Sequence, residues 1–446
     1  MCNSHPAQGQ SPKLPWVSKH GHLPKGVSRR DVLKLTAAAA GVVAMGPFKG
    51  VVPIAAGAPL QKKRMVVINL FGGHDTLNMC IPQNVQPYFE RRSAMAIQPE
   101  DALSLAGGPG NTAYRVHPSF TRIQSLWNDG DVAFVQRTGY PNANLSHFTS
   151  QDIFSRGVRS DFPSGIPRSG WIARYADRNA PTPLGAVSIG VGRPFDFVGG
   201  SSKPFLVQSL GGFKLSGGTG RSHLHRANAA QGILERFSGG TGNTTDARDA
   251  LDQAYQLADQ IQQSVTDYSS TADYSYFDPT RNRTYTAAVG SRLRDMARLM
   301  QSGFESSIFF TGYGGLDTHG NQLPRHADLM RQLDRSIGAF SDDMKAMGLW
   351  EDMVICVVTE FGRRNFVNGS DGTDHGHAYC TLLVGGGVRG GMYGPDLTEA
   401  DLNRNYPLHA VDFRDIYHEI LRDHMGAGDM DYIFPETNLP NPLGIV

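Results

Sequence analysis

Arg64-Met65-Val66-Val67-Ile68-Asn69-Leu70-Phe71 runs directly into Gly72-Gly73-His74-Asp75. A short apolar run closed by a glycine pair reads as a parallel strand buried on both faces that ends in a ligand-binding loop. The same arrangement recurs along the chain. Val132-Ala133-Phe134-Val135-Gln136 leads to Asn144-Leu145-Ser146-His147-Phe148 and then a helix, and Ser307-Ile308-Phe309-Phe310-Thr311 leads to Gly314-Gly315-Leu316-Asp317-Thr318-His319-Gly320. Met353 to Val358 ends at Thr359-Glu360-Phe361-Gly362-Arg363, and Thr381-Leu382-Leu383-Val384 follows Thr373-Asp374-His375-Gly376-His377. Helical stretches such as Arg325 to Gly348 alternate with these strands, so the pattern predicts a layered α/β domain on a mostly parallel sheet.

In open α/β sheets ligands bind at the carboxyl ends of the strands, and here those ends carry side chains able to hold a metal. They are Asp75, then Ser146 and His147, then Asp317 and His319, then Glu360, then Asp374, His375 and His377. Carboxylates combined with imidazoles suit Zn, Mn or a similar divalent ion, and two such ions can clamp the attacking and leaving oxygens of a phosphoryl or sulfuryl transfer. Taken singly, Asp317 and His319 would also suit the cap of a helix starting near Asn321. Ser146 would suit an N-cap, although a helix N-terminus equally stabilises an anionic nucleophile or a phosphate.

The 446 residues are 40% apolar and 19% charged, enough to bury a full core. A formal net charge of +1 offers no long-range attraction to nucleic acid or to a membrane surface, so neither is expected as a partner. Cys2, Cys80, Cys356 and Cys380 do not lie at metal-ligand spacing. Cys356 and Cys380 fall in or beside strands and read as buried thiols, a disulfide between them being the alternative. Cys80-Ile81-Pro82 begins like the sulfatase Cys-x-Pro-x-Arg motif, but position 84 is Asn and no Arg stands where the motif requires one. Gly385 to Gly390 fits G-x-G-x-x-G, yet Met392-Tyr393-Gly394-Pro395 follows in place of a helix, which excludes a nicotinamide enzyme. Residues 199–242 are rich in Gly and Ser and 246–265 carry apolar residues at helical spacing, so 199–285 reads as an insertion or cap over the core.

Ahead of the domain, Ser28-Arg29-Arg30-Asp31-Val32-Leu33-Lys34 precedes a mildly apolar stretch from Leu35 to Met45. This resembles a twin-arginine export signal, and the stretch is shorter than the ~20 apolar residues of a membrane span. Residues 1–58 are therefore expected to be the signal region and 59–446 the exported domain, periplasmic or extracellular. Ala56-Gly57-Ala58 is followed by Pro59, a poor residue after a cut, so a retained membrane anchor stays open. The twin-arginine resemblance implies the export machinery as a partner and folding before export.

The motifs Thr359-Glu360-Phe361-Gly362-Arg363, Gly372-Thr373-Asp374-His375-Gly376-His377 and Gly385-Gly386-Gly387-Val388-Arg389-Gly390-Gly391 resemble those of the bacterial "domain of unknown function 1501" family. Gly72 to Asn78, Ser146-His147-Phe148 and Leu316-Asp317-Thr318-His319 are similar to its other landmarks. The family is grouped with the alkaline phosphatase-like and sulfatase-like superfamily, which implies a three-layer α/β/α fold and a two-metal site. By that resemblance Asp75 is a metal ligand, Ser146 the nucleophile, and Asp317 and His319 the later ligand pair. Glu360-Phe361 replaces the usual Asp-His, while His375 or His377, with Asp374, completes the set. The resulting expectation is an exported, divalent-metal-dependent hydrolase of phosphate or sulfate esters, acting on a small ester or an envelope polymer. Asp75, Asp317, His319, Glu360, Asp374, His375 and His377 would hold one or two ions of Zn, Mn or Ca, with Ser146 as nucleophile and Arg363 or Arg364 neutralising ester oxygens. The rival expectation is a catalytically silent metal-binding scaffold for an envelope or extracellular polymer.

Overall fold

The five apolar runs become strands of one nine-stranded sheet in the computed structural model, which describes residues 62–159, 168–180, 184–192, 194–202, 204–213, 257–279, 281–435 and 441–446. The described residues belong to one unit, Phe48–Lys214 with Leu257–Val446. The twin-arginine segment and most of 199–285 lie outside the described residues. Of the ends of 199–285, Phe205–Val207 is a strand of the main sheet, while Ser275–Asp278 and Arg283–Thr286 form an antiparallel pair of their own. Among the described residues no helix is long and apolar enough to cross a membrane.

In chain order the sheet strands are β1 (Arg64–Leu70), β2 (Val132–Gly139), β3 (Ala186–Ile189), β4 (Phe205–Val207), β5 (Ile308–Tyr313), β6 (Met353–Thr359), β7 (Tyr379–Val384), β8 (Gly391–Tyr393) and β9 (Val411–Asp412). Their spatial order is β8-β2-β7-β6-β1-β5-β3-β4, with β9 also pairing to β2. β1 is parallel to both neighbours, placing Val67 opposite Phe310 on one side and Cys356 on the other. Only β7 runs against its partners, β6 and β2. That reversal matters for the site, because the start of β7, and with it the loop 373–377, lies at the edge where its neighbours end.

Alternation along each strand sends side chains to opposite faces, and both faces are covered. Val66, Ile68, Phe309, Ile355 and Leu382 join a core with α1 (Gln86–Arg92), α2 (Thr121–Asn128), α5 (Ala288–Gln301) and α6 (Gln322–Ala346). Met65, Val67, Phe310, Val354 and Leu383 join another with α3 (His147–Arg156), α4 (Trp171–Asn179) and α7 (Phe413–Glu419). The result is the expected three-layer α/β/α arrangement. Each fully buried Val or Phe of these strands contributes about 1.5–3 kcal/mol relative to exposure, so a carboxylate at Val67 would break the sheet at its centre. Tertiary contacts also finish the helices: α2 has no cap of its own, and Asp334 of α6 accepts hydrogen bonds from Arg122 N–H and Ile123 N–H at 2.9 Å.

Cys80, Cys356 and Cys380 are free and buried. Cys356 belongs to one core and Cys380 to the other, on opposite faces of the sheet, so the alternative disulfide between them does not form.

Candidate metal centre

At the end of β1, Gly72 and Gly73 turn the chain with φ of +121° and +69°, values L side chains rarely adopt. A Cβ on Gly72 would lie 2.4 Å from the backbone nitrogen of Asp317, and one on Gly73 would enter the Phe361 ring. The glycine pair thus lets the loop after β1 pack backbone to backbone against the loop after β5 and seat the Phe361 ring from the loop after β6. Arg363 locks them. Its buried guanidinium donates to the carbonyls of Gly72, Gly73, Leu316 and Thr373 and to Asp317 Oδ1 at 2.6 Å. The role expected for Arg363, neutralising ester oxygens, is corrected accordingly: its donors point inward, whereas Arg364 beside it is part-exposed and lies 3.9 Å from Asp374.

Above this platform three imidazoles converge on Asp317. His147 comes from the first position of α3, His319 from the loop after β5, and His375 from the loop before β7. Each ring has its Nδ1 hydrogen-bonded to an acceptor. His147 Nδ1 donates to Glu360 Oε1 at 2.8 Å, His319 Nδ1 to Asp374 Oδ1 at 3.1 Å, and His375 Nδ1 to the Leu145 carbonyl at 2.8 Å. Because those acceptors carry no proton to give, each neutral ring presents an Nε2 lone pair. The lone pairs meet: His319 Nε2 lies 3.0 Å from His375 Nε2, and Asp317 Oδ1 lies 3.1 Å and 3.3 Å from those two nitrogens. His147 Nε2 is buried without a hydrogen-bond partner, 3.6 Å from Asp317 Oδ2. One ligand atom from each of His147, Asp317 and His375 fits within 4.8 Å, the only such group of three among the described residues.

Lone pairs and a carboxylate gathered in this way repel unless positive charge sits among them, a metal ion or a proton on one ring, and the bond to Glu360, with Asp317 nearby, raises His147 in that sense. The residues therefore fit a divalent ion, with a carboxylate or carbonyl behind each imidazole fixing its tautomer, as metal-binding histidines require. Phe361 supports the arrangement from below, its ring 4.9 Å from that of His147 and 4.8 Å from that of His375. The electrostatics agree. Burial would raise the Asp317 carboxyl, but the Arg363 guanidinium and the neighbouring histidines hold it down at about 2. Burial likewise opposes ionisation of Glu360, yet hydrogen bonds from His147, Gly72 N–H and Gln151 keep it below its usual range. Asp317 and His319 are half-exposed, so the cluster opens to solvent on one side.

Of the residues expected here, Asp317, His319, Glu360, Asp374 and His375 are brought together, and His147, a strand-end residue left out of that set, joins them. Ser146 stands exposed at the N-cap of α3, and its side chain makes no capping hydrogen bond. Asp75 and His377 are corrected. Asp75 is buried outside the cluster, its Oδ2 2.5 Å from Arg92 Nη1, a charge partner 17 residues away, and its Oδ1 without a hydrogen-bond partner. His377 is buried under Tyr140, with Nε2 2.9 Å from the Tyr140 carbonyl and its ring beside His409. Burial and the neighbouring His409 hold it neutral, down to about 4.

The sequence matches the family described as "Protein of unknown function (DUF1501)" over residues 202–440. No curated protein matches it. Among solved structures it is similar to a protein of the alkaline phosphatase superfamily from Vibrio parahaemolyticus, with 12% identity, 93% of this chain and 80% of that chain covered, and a TM-score of 0.34. A sulfatase from Pseudoalteromonas sp. aligns at 10% identity over 94% of this chain and 74% of that one, TM-score 0.35. The lipoteichoic acid synthase LtaP from Listeria monocytogenes aligns at 9% identity over 90% and 81%, TM-score 0.33.

Proposed function

The chain belongs to the DUF1501 family, and from that premise we propose that it is an exported, divalent-metal-dependent hydrolase of phosphate or sulfate esters. The observation that carries this reading is the convergence of His147, His319 and His375 on Asp317 with every Nδ1 already donated. His147, Asp317 and His375 would hold one ion, with His319 at its open side. An imidazole-rich set with one carboxylate favours Zn over Ca. When bound, such an ion would polarise an ester oxygen and acidify water.

The remaining work falls to the chain's own groups. Ser146 Oγ, uncommitted at the N-terminus of α3 and one residue from His147, is the candidate nucleophile, and the helix N-terminus would stabilise the anion it forms. Arg364 takes the charge-neutralising role beside Asp374. Glu360 and Asp374 orient imidazoles. One observation favours the silent scaffold instead: among the described residues no carboxylate or imidazole is hydrogen-bonded to Ser146 Oγ to activate it. The test is hydrolysis of aryl phosphate and aryl sulfate esters with added Zn or Mn. Turnover that disappears in His375→Ala is the expected result; a metal-loaded protein inert toward both ester classes would overturn the hydrolase and leave the scaffold.

A further inference from the structure

Behind the open cluster lies a buried amide that touches both loops carrying its groups. Gln322, the first residue of α6, is fully buried. Its Nε2 donates to Asp75 Oδ2, and its Oε1 accepts from Thr318 Oγ1 at 3.0 Å and from Thr373 Oγ1 at 2.7 Å. The orientation of the amide is dictated by its neighbour. Asp75, paired with Arg92, is a carboxylate and can only accept, so the NH2 must face it and the carbonyl must face the two hydroxyls. Thr318 stands between Asp317 and His319, and Thr373 directly precedes Asp374 and His375. One amide oxygen therefore joins the loop after β5 to the loop before β7, supported by the backbone bond from Thr373 N–H to the Thr318 carbonyl at 3.2 Å.

We propose that Gln322, oriented by the Asp75–Arg92 pair, is the positioning residue that sets the spacing of Asp317 and His319 against Asp374 and His375. This rests on the metal reading above. It also gives Asp75 a function without making it a ligand: its charge fixes the amide, and Arg92, which further donates to Asn78 Oδ1 at 3.0 Å and to the Arg364 carbonyl at 2.8 Å, keeps that charge ionised in the core. Partners behind the ligands of a metal site generally alter affinity by about 10–100-fold, and the effect expected here lies in that range.

The experiment measures Zn2+ affinity by competition with a chromophoric chelator, alongside thermal unfolding in EDTA, for the parent, Gln322→Leu and Thr373→Val. Thr373→Val keeps the shape of the side chain and removes one hydroxyl, so it decides the matter should Gln322→Leu not fold. The expected result is Zn2+ binding weakened about 10–100-fold in the variants, with Thr373→Val unfolding in EDTA close to the parent. Parent and Thr373→Val proteins that bind Zn2+ equally would overturn the positioning role while leaving the metal reading intact. A parent that takes up no Zn2+ would overturn the metal reading and this inference with it.

Discussion

Among the described residues, two pairs of histidines face each other Nε2 to Nε2 at 3.0 Å, one pair in the core and one at the surface. In the core, His74 and His326 are shielded from water, with His117 beside them at a ring separation of 5.4 Å. Burial drives the charged forms out, lowering His74 and His326 to about 3 and His117 to about 2. His326 is bonded through its ring to the Asp75 backbone carbonyl, but His74 has no such acceptor among the described residues, so its N–H can donate to His326 and the neutral pair needs no ion. At the surface neither ring is free in this way, because His319 and His375 have both given their Nδ1 protons to acceptors. The same contact at the same distance thus suits a cation in one place and requires none in the other. What differs is the set of acceptors behind the rings.

The comparison can be broken at several points. The largest effect is expected from Asp317→Ala, which removes the carboxylate on which the three imidazoles converge. Metal affinity should fall by more than the roughly 100-fold associated with losing an outer partner, measured by dialysis against chelator, while His326→Phe should leave bound metal at the parent level.

Acid should act on the buried group through the stability of the fold. The folded-state values of His74, His117 and His326 lie far below the ordinary 6.5, so below that pH the unfolded chain binds more protons than the folded one. The stability from keeping these rings neutral is complete above about pH 6.5 and is lost as pH falls toward their folded values, at up to about 1.4 kcal/mol per pH unit for each group. Urea unfolding of chelated protein at pH 7, 5.5 and 4.5 should show this fall, and a curve flat across that range would contradict it. A smaller change should follow Glu360→Gln, which leaves His147 in place but weakens the acceptor that fixes its tautomer; about a 10-fold loss of metal affinity is expected, read by chelator competition. The smallest should be His377→Asn. Because His377 is bonded to the Tyr140 carbonyl away from the cluster, metal affinity should change by less than about twofold, well below the roughly 10–100-fold that marks a true outer partner.

The contrast between these clusters also marks how far the sequence could be read. The central strands were legible because runs such as Met65 to Ile68 and Met353 to Val358 are apolar without interruption, which a sheet covered on both faces demands. The short edge strands Phe205–Val207, Gly391–Tyr393 and Val411–Asp412 carry too few residues to show a period. The reversed direction of β7 leaves no trace in an apolar run at all. Most of the site was legible through the rule that strand ends carry ligands, and His147 stood among those ends. Asp75 obeyed the same rule and still belongs elsewhere, because its partner Arg92 comes from a helix whose docking no local pattern announces. His377, two residues from His375, points to the other side of its loop, and a His-x-His spacing alone does not tell which ring faces outward. Arg363 looked available for substrate because its burial depends on carbonyls from three separate loops.

The central claim is that the surface cluster holds a cation where the core cluster does not. The most direct measurement is elemental analysis of protein purified without chelator, comparing the parent with His375→Ala. The account predicts one divalent ion per chain in the parent and its loss in the variant, with the variant still folded. A parent free of metal, and unable to take any up, would contradict it.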